Sequence, residues 1–194
     1  MRNAVALALA LASFGLALTM LPAVLAGVPL QWQIELPWGL TFGFAGDGLA
    51  VLTGAAAALL SAIALFYSWG SIEAYNKQNE YYMMAVLFLG TMLGAIYSTN
   101  LLFIFIFWEI AALASFRLMV FFREKPLSLK VDKMLFLSIL GAISLLLAFL
   151  KLYGETGTFV IRDFVDYIPS HFVMAFFLVG ILCQAALLPC YWTL

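Results

Sequence analysis

Apolar residues fall in long runs, separated by short polar stretches, from the first turn of the chain to the last. Ala4 to Ala26 is the first run. Further runs cover about Gly48 to Gly70, Tyr82 to Tyr97, Asn100 to Phe122, Val131 to Leu150 and His171 to Pro189. A helix needs about 20 apolar residues to cross a bilayer, so the pattern predicts six crossings. The fold class is therefore an all-α integral membrane protein, with residues 1–194 forming one transmembrane domain.

The stretches between runs carry their own patterns. Gln31 to Leu36 alternates polar and apolar, Pro37-Trp38-Gly39 is a turn signal, and Leu40 to Phe44 returns. This predicts a small hairpin at the outer membrane surface within residues 30–46, its Trp residues suited to the interface. Asp47 caps the helix that follows. Ser71 to Tyr81 reads as a polar loop, and Arg123 to Lys133 as the most charged loop. Phe159, Ile161, Phe164, Val165 and Ile168 recur at near-helical spacing among Arg162, Asp163 and Asp166. That predicts a short amphipathic segment in the interface or against a neighbouring subunit. Gly90 and Gly94 are spaced for close helix contact. Pro22 predicts a kink in the first helix, and Pro189 a break in the last.

Composition agrees: 66% of residues are hydrophobic and 10% charged, against about 25% charged in soluble domains. Arg2 and the Val24-Leu25-Ala26 ending imitate a signal peptide, but the run is longer than a usual leader core, so a retained helix is expected. Lys and Arg set the orientation. With the N-terminus inside, the inner segments hold Arg2, Lys77, Arg123, Lys125, Lys130 and Lys133, and the outer ones Lys151 and Arg162. Both termini are expected in the cytoplasm, in the inner (plasma) membrane of the cell. A net charge of −1 with no basic patch gives nucleic acid nothing to bind.

The chemistry-bearing inventory is short. Cys183 and Cys190 lie about 10.5 Å apart along one predicted helix, too far for a disulfide. One His and two Cys supply too few ligands for a metal site. There is no phosphate loop, no nucleophile–base constellation and no pair of haem ligands, so no cofactor is expected on this chain. What stands out is Glu109, roughly 14 Å and 20 Å from the two ends of its run. A carboxylate that deep costs at least ~2.5 kcal/mol and marks a candidate functional site. Gln184 lies roughly 18 Å into the last run from the same side, so the two can face one another. Arg117 is about 12 Å along the helix from Glu109 and about 80° around it, which disfavours a direct pair. Arg117 reads as a snorkelling residue or a link in a hydrated path.

Four stretches resemble a known family. FAGDGLA, Phe44 to Ala50, is similar to an Asp-Gly-Leu-Ser helix start. STNLLFIFIFWEIAALASF, Ser98 to Phe116, resembles the signature NLL…WE…S(Y/F), whose Glu handles protons. KMLFLSILGAISLLLAFLKLYGETGTF, Lys133 to Phe159, resembles a helix beginning KY and ending LLYG.TGT. QAALLPCYW, Gln184 to Trp192, resembles the broken-helix motif K(S/A)A…P.(H/Y).W. The family is that of the antiporter-like subunits of respiratory complex I, membrane-bound hydrogenases and Mrp cation/proton antiporters, here its N-terminal half.

The resemblance implies a proton- or sodium-translocating subunit of a multi-subunit membrane complex. Glu109, Lys133, Gln184 and Arg117 are its candidate translocation residues, and Pro189 its helix break. Lys133 either links Glu109 to the inner side through water or serves as a positive-inside anchor. The expected partners are other membrane subunits, including a chain that supplies the remaining antiporter helices, and the lipid bilayer. Where the family carries Lys five residues before the Pro, this chain has Gln184. One N-terminal family helix before the hairpin is also missing. These departures support an alternative: a non-conducting structural or assembly subunit derived from a split or degenerate antiporter. The chain itself carries no redox site, and any enzyme activity would belong to the larger complex.

Overall fold

The computed structural model describes residues 2–28, 30–37, 40–72, 75, 77–122, 125–164 and 166–184. In chain order these form α1 (Arg2–Leu25), β1 (Leu30–Glu35), β2 (Thr41–Gly46), α2 (Gly48–Ser71), α3 (Gln78–Tyr97), α4 (Leu101–Met119), α5 (Lys125–Thr156) and α6 (His171–Gln184). Among the described residues, five helices are long and apolar enough to cross a membrane, and α6 adds a shorter apolar one. Pro189 and the expected break lie outside the described residues.

α1, α2 and α3 pack through small side chains. Ala6 and Ala10 of α1 meet Ala58, Ala62 and Leu65 of α2, with Tyr82 and Leu89 of α3 closing the cluster. Spacings of three and four place these alanines on one helical face, so the backbones approach closely. On the other side, Leu145 and Phe149 of α5 gather Leu101, Leu102 and Phe105 of α4 and Phe177 of α6. Gly94 of the glycine pair has a specific use. A Cβ there would lie 2.8 Å from the Phe107 ring of α4, so the glycine admits that ring. Gly90 faces open space.

The hairpin forms as its alternation predicts, with Leu30 opposite Gly46 and Glu35 opposite Thr41. It is also the first part of a larger tie. Phe44 bridges to Ser98, and Asn100 bridges to Val160. Thr99 N–H donates to the Gly43 carbonyl at 3.0 Å, and Ile161 N–H donates to the Thr99 carbonyl at 3.0 Å. Asn100 sits at the centre, 1% exposed. Its amide donates to the Thr41 carbonyl at 2.8 Å, while its side-chain oxygen accepts from Leu102 N–H at 3.0 Å and caps α4.

The start of α4 is thus fixed against both the hairpin and the α5–α6 connection. Asn100→Leu would leave a buried carbonyl and a helix N–H without partners, costing roughly 1–3 kcal/mol. The expected outcome is a lower thermal midpoint in detergent, with Asn100→Asp intermediate because it keeps the cap and loses the donor. An unchanged midpoint for Asn100→Leu would contradict this role.

Two sequence expectations are corrected. The charged stretch read as a loop is largely helix: α5 begins at Lys125 and takes in residues up to Lys133 before the apolar run. Pro126 falls in the first turn, where its missing N–H costs nothing and its fixed φ suits a helix. In the stretch from Phe159 to Ile168, predicted as a short amphipathic segment, helical geometry among the described residues is confined to a single turn. One 3-10 turn covers Ile161–Phe164. Val160 is extended because it pairs with Asn100, and Ile168 is 88% exposed.

Candidate functional site

Glu109 lies nine residues beyond the cap Asn100, so this tie sets its distance from that end of α4 at roughly 14 Å. One turn earlier on α4, Phe105 meets Phe149 of α5 edge-on at 5.8 Å, and Phe149 meets Phe177 of α6 at 5.1 Å. These rings hold the three helices together above the carboxyl.

Below them α5 and α6 touch through glycines. A Cβ on Gly180 would stand 2.5 Å from Leu145 Cγ and 3.2 Å from the Gly141 carbonyl oxygen. A Cβ on Gly141 would stand 3.1 Å from Gln184 Cγ. Backbone-to-backbone contact therefore delivers Gln184 to the α4–α5 boundary.

There Gln184 joins the three helices. Its Nε2 donates to Glu109 Oε1 at 3.0 Å. Its Oε1 accepts from the Ser138 hydroxyl of α5 at 3.0 Å. A longer contact of 3.5 Å runs from Nε2 to the Ser138 carbonyl. Glu109, Ser138 and Gln184 are each half-buried within the chain. Next to them is a cavity of about 290 Å³ whose wall includes Trp108, Ser115, Met134, Ser138, Cys183 and Gln184. Three helices thus converge on a carboxyl whose hydrogen-bond donor is neutral. That arrangement can hold a proton or release it toward a space large enough for water.

The sequence-derived candidates fare differently. Glu109 and Gln184 are brought together. Arg117 is not part of the cluster; its guanidinium pairs with Glu80 at the start of α3, both side chains partly exposed. The Lys133 side chain lies outside the described residues. Its backbone stands on α5 five residues before Ser138, about 7.5 Å along the axis. Ser138 and Ser115 are site residues that the sequence reading passed over. Ser138 shares a helical face with Gly141, three residues on, and a polar residue beside a packing glycine is the one signal in the sequence that could have drawn notice to it.

Residues 98–193 match the family described as NADH:quinone oxidoreductase/Mrp antiporter, transmembrane. The stretch includes Glu109, Ser138 and Gln184, and the chain belongs to this family of antiporter-like membrane subunits. It is a multi-pass membrane protein. Among relatives, the Na(+)/H(+) antiporter subunit A1 of Staphylococcus epidermidis is 31% identical over 170 residues, covering 84% of this chain and 21% of that protein. The subunit A1 of Staphylococcus aureus is 27% identical over the same coverage. The chain thus spans about a fifth of the length of the curated relatives it matches.

Solved structures share the fold. The Mrp complex from Dietzia sp. contains a chain with TM-score 0.86 and 22% identity, covering 100% of this chain and 38% of that one. A chain of respiratory complex I from Thermus thermophilus gives TM-score 0.78 and 20% identity, covering 96% and 39%. A chain of the archaeal membrane-bound sulfane sulfur reductase gives 0.78 and 23%, covering 94% and 30%.

Proposed function

We propose that this chain is an ion-translocating, antiporter-like subunit of a multi-subunit membrane complex, and that Glu109 takes up and releases the proton. The observation that carries this reading is the Glu109–Gln184 contact at 3.0 Å, at membrane depth and beside a cavity. A carboxylate there costs at least ~2.5 kcal/mol, and a purely structural role would be met by an apolar side chain. The relatives named Na(+)/H(+) antiporter subunits support the same reading, with proton or sodium as the moving ion.

In this proposal the cavity is the inner approach to Glu109, and Lys133 lies at its cytoplasmic side. The Arg117–Glu80 pair ties α3 to α4 outside the path. Other membrane subunits, including whatever supplies the remaining antiporter helices, complete the route. The excess of Lys and Arg in the segments at one side of the crossings supports cytoplasmic termini and a place in the inner membrane.

Gln184→Leu tests the reading. It removes the donor to Glu109 and leaves the packing volume nearly unchanged. Losing a hydrogen bond to a charged group is worth about 1.5–3 kcal/mol. Ion flux through the reconstituted complex should fall about tenfold or more, with normal incorporation of the subunit. Undiminished flux would favour the non-conducting structural role that the neutral Gln184 otherwise supports.

A further inference from the structure

We propose that the Gln184 side chain is a reversible hydrogen-bond relay, set by Ser138, whose amide orientation follows the protonation of Glu109. The inference rests on the assignment of Glu109 as the proton-carrying group and adds what its neighbours do.

An amide has a donor end and an acceptor end, and a hydroxyl can serve either. In the arrangement seen, Ser138 donates to Gln184 Oε1 at 3.0 Å, and Gln184 Nε2 donates to Glu109 Oε1 at 3.0 Å. All donors point toward Glu109, which suits an ionised, acceptor-only carboxylate.

In this relay Glu109 takes its proton from a hydronium ion in the cavity, leaving water behind, and the new O–H bond forms on Oε1, the oxygen that faces Gln184. A donor then confronts a donor. Rotating the amide by half a turn resolves this. Glu109 O–H donates to Gln184 Oε1, and Gln184 Nε2 donates toward Ser138. Two acceptors are in place on that side: the Ser138 hydroxyl oxygen and the Ser138 carbonyl, already 3.5 Å from Nε2. The Ser138 hydroxyl proton turns to the cavity, whose wall Ser138 shares with Ser115. Every hydrogen bond in the chain reverses, no charge other than the proton on Glu109 moves, and no buried group is left unpaired.

The surroundings leave this relay to the three side chains. α3 contributes Phe88 and Met92 to the cavity wall, and α6 contributes the thiol of Cys183. On α4 the next charge is Arg117, held by Glu80. On α5 the charged neighbour in sequence is Lys133. A relay of this kind transmits the state of Glu109 from α4 to α5 by hydrogen-bond polarity, where a lysine at the same position would do so by charge.

The test uses the assembled complex in lipid and infrared difference spectroscopy across a pH titration. Bands of Glu109 are assigned by their loss in Glu109→Gln, and bands of the Gln184 amide by their loss in Gln184→Leu. The expected result is that the Gln184 amide band shifts with the same midpoint as the Glu109 carboxyl band. Ser138→Ala removes the hydroxyl that orients the amide toward an ionised Glu109 and keeps the carbonyl at 138, so it should raise the common midpoint and lower ion flux roughly three- to tenfold, the range that one net hydrogen bond allows. Ser138→Thr, which keeps the hydroxyl, should restore both.

A Gln184 band that stays fixed while Glu109 titrates would overturn the relay. So would an unchanged midpoint in Ser138→Ala. If flux in Glu109→Gln is normal while the bands move together, the transport assignment fails and the relay stands. If Glu109→Gln stops flux and the bands are independent, the reverse holds.

Discussion

Gly180→Val is expected to bring coupled ion movement close to the background of protein-free vesicles, although the substitution touches no polar group of the site. Its effect travels through packing. The new Cβ would lie 2.5 Å from Leu145 Cγ and 2.7 Å from Leu145 Cδ2, well inside van der Waals contact, with the Gly141 carbonyl oxygen at 3.2 Å behind it. Leu145 is itself buried against the Phe149 cluster and has little room to turn. Overpacking of this kind costs typically ~1–3 kcal/mol and is relieved by moving backbone.

α6 is the shorter of the two helices, 14 residues against 32, and Gln184 lies one turn beyond Gly180 on it. A shift of about half an ångström or more at Gln184 takes its 3.0 Å hydrogen bonds beyond useful length. Glu109 then loses its donor. Gly154→Val is the control, since a Cβ at Gly154 meets nothing within 4 Å. Flux assays on the reconstituted complex should show near-background movement for Gly180→Val and near-normal movement for Gly154→Val. Equal activity of the two would show that α5–α6 contact does not set the site.

Glu109→Gln should have the other large effect, and on function without assembly. The substituted amide keeps the carbonyl oxygen that accepts from Gln184 Nε2, so the 3.0 Å contact has a direct replacement. It also removes an ionisable group whose charged form costs at least ~2.5 kcal/mol at this depth. The variant should therefore incorporate into its complex as well as the wild type and melt no earlier. It has no exchangeable carboxyl proton, so on the proposed function transport through this subunit should stop. Co-purification and thermal denaturation check the first half of that expectation.

The pairing of Glu109 with Gln184 was legible because depth along a membrane helix is set by residue count alone. Two polar groups at one depth in a bundle of few polar groups have few other places to go. The hairpin was legible for a similar reason, since strict alternation from Gln31 to Leu36 fits a pleated strand and no helix.

Ser138 was not legible in the same way. Sequence fixes its depth on α5 but not which face of α5 meets α6. That face is chosen by Gly141 and Gly180, whose contact is a property of two helices together. The beginning of α5 was misread because Arg123 to Lys133 is rich in charge, and charge ends a membrane crossing without ending a helix. The stretch after Phe159 was misread for the opposite reason. Its apolar spacing suits a helix, but the backbone of Val160 and Ile161 is claimed by Asn100 and Thr99. Such long-range pairing overrides a local pattern.

The most direct measurement is ion movement by the intact complex in sealed liposomes, with wild-type chain and with Glu109→Gln at equal incorporation. Proton and sodium are recorded separately under the same driving force. The wild type should move ions, and Glu109→Gln should show no movement above protein-free vesicles through this subunit while its assembly is unchanged. Wild-type movement in the assembled Glu109→Gln complex would contradict the assignment of Glu109 as the group that carries the proton.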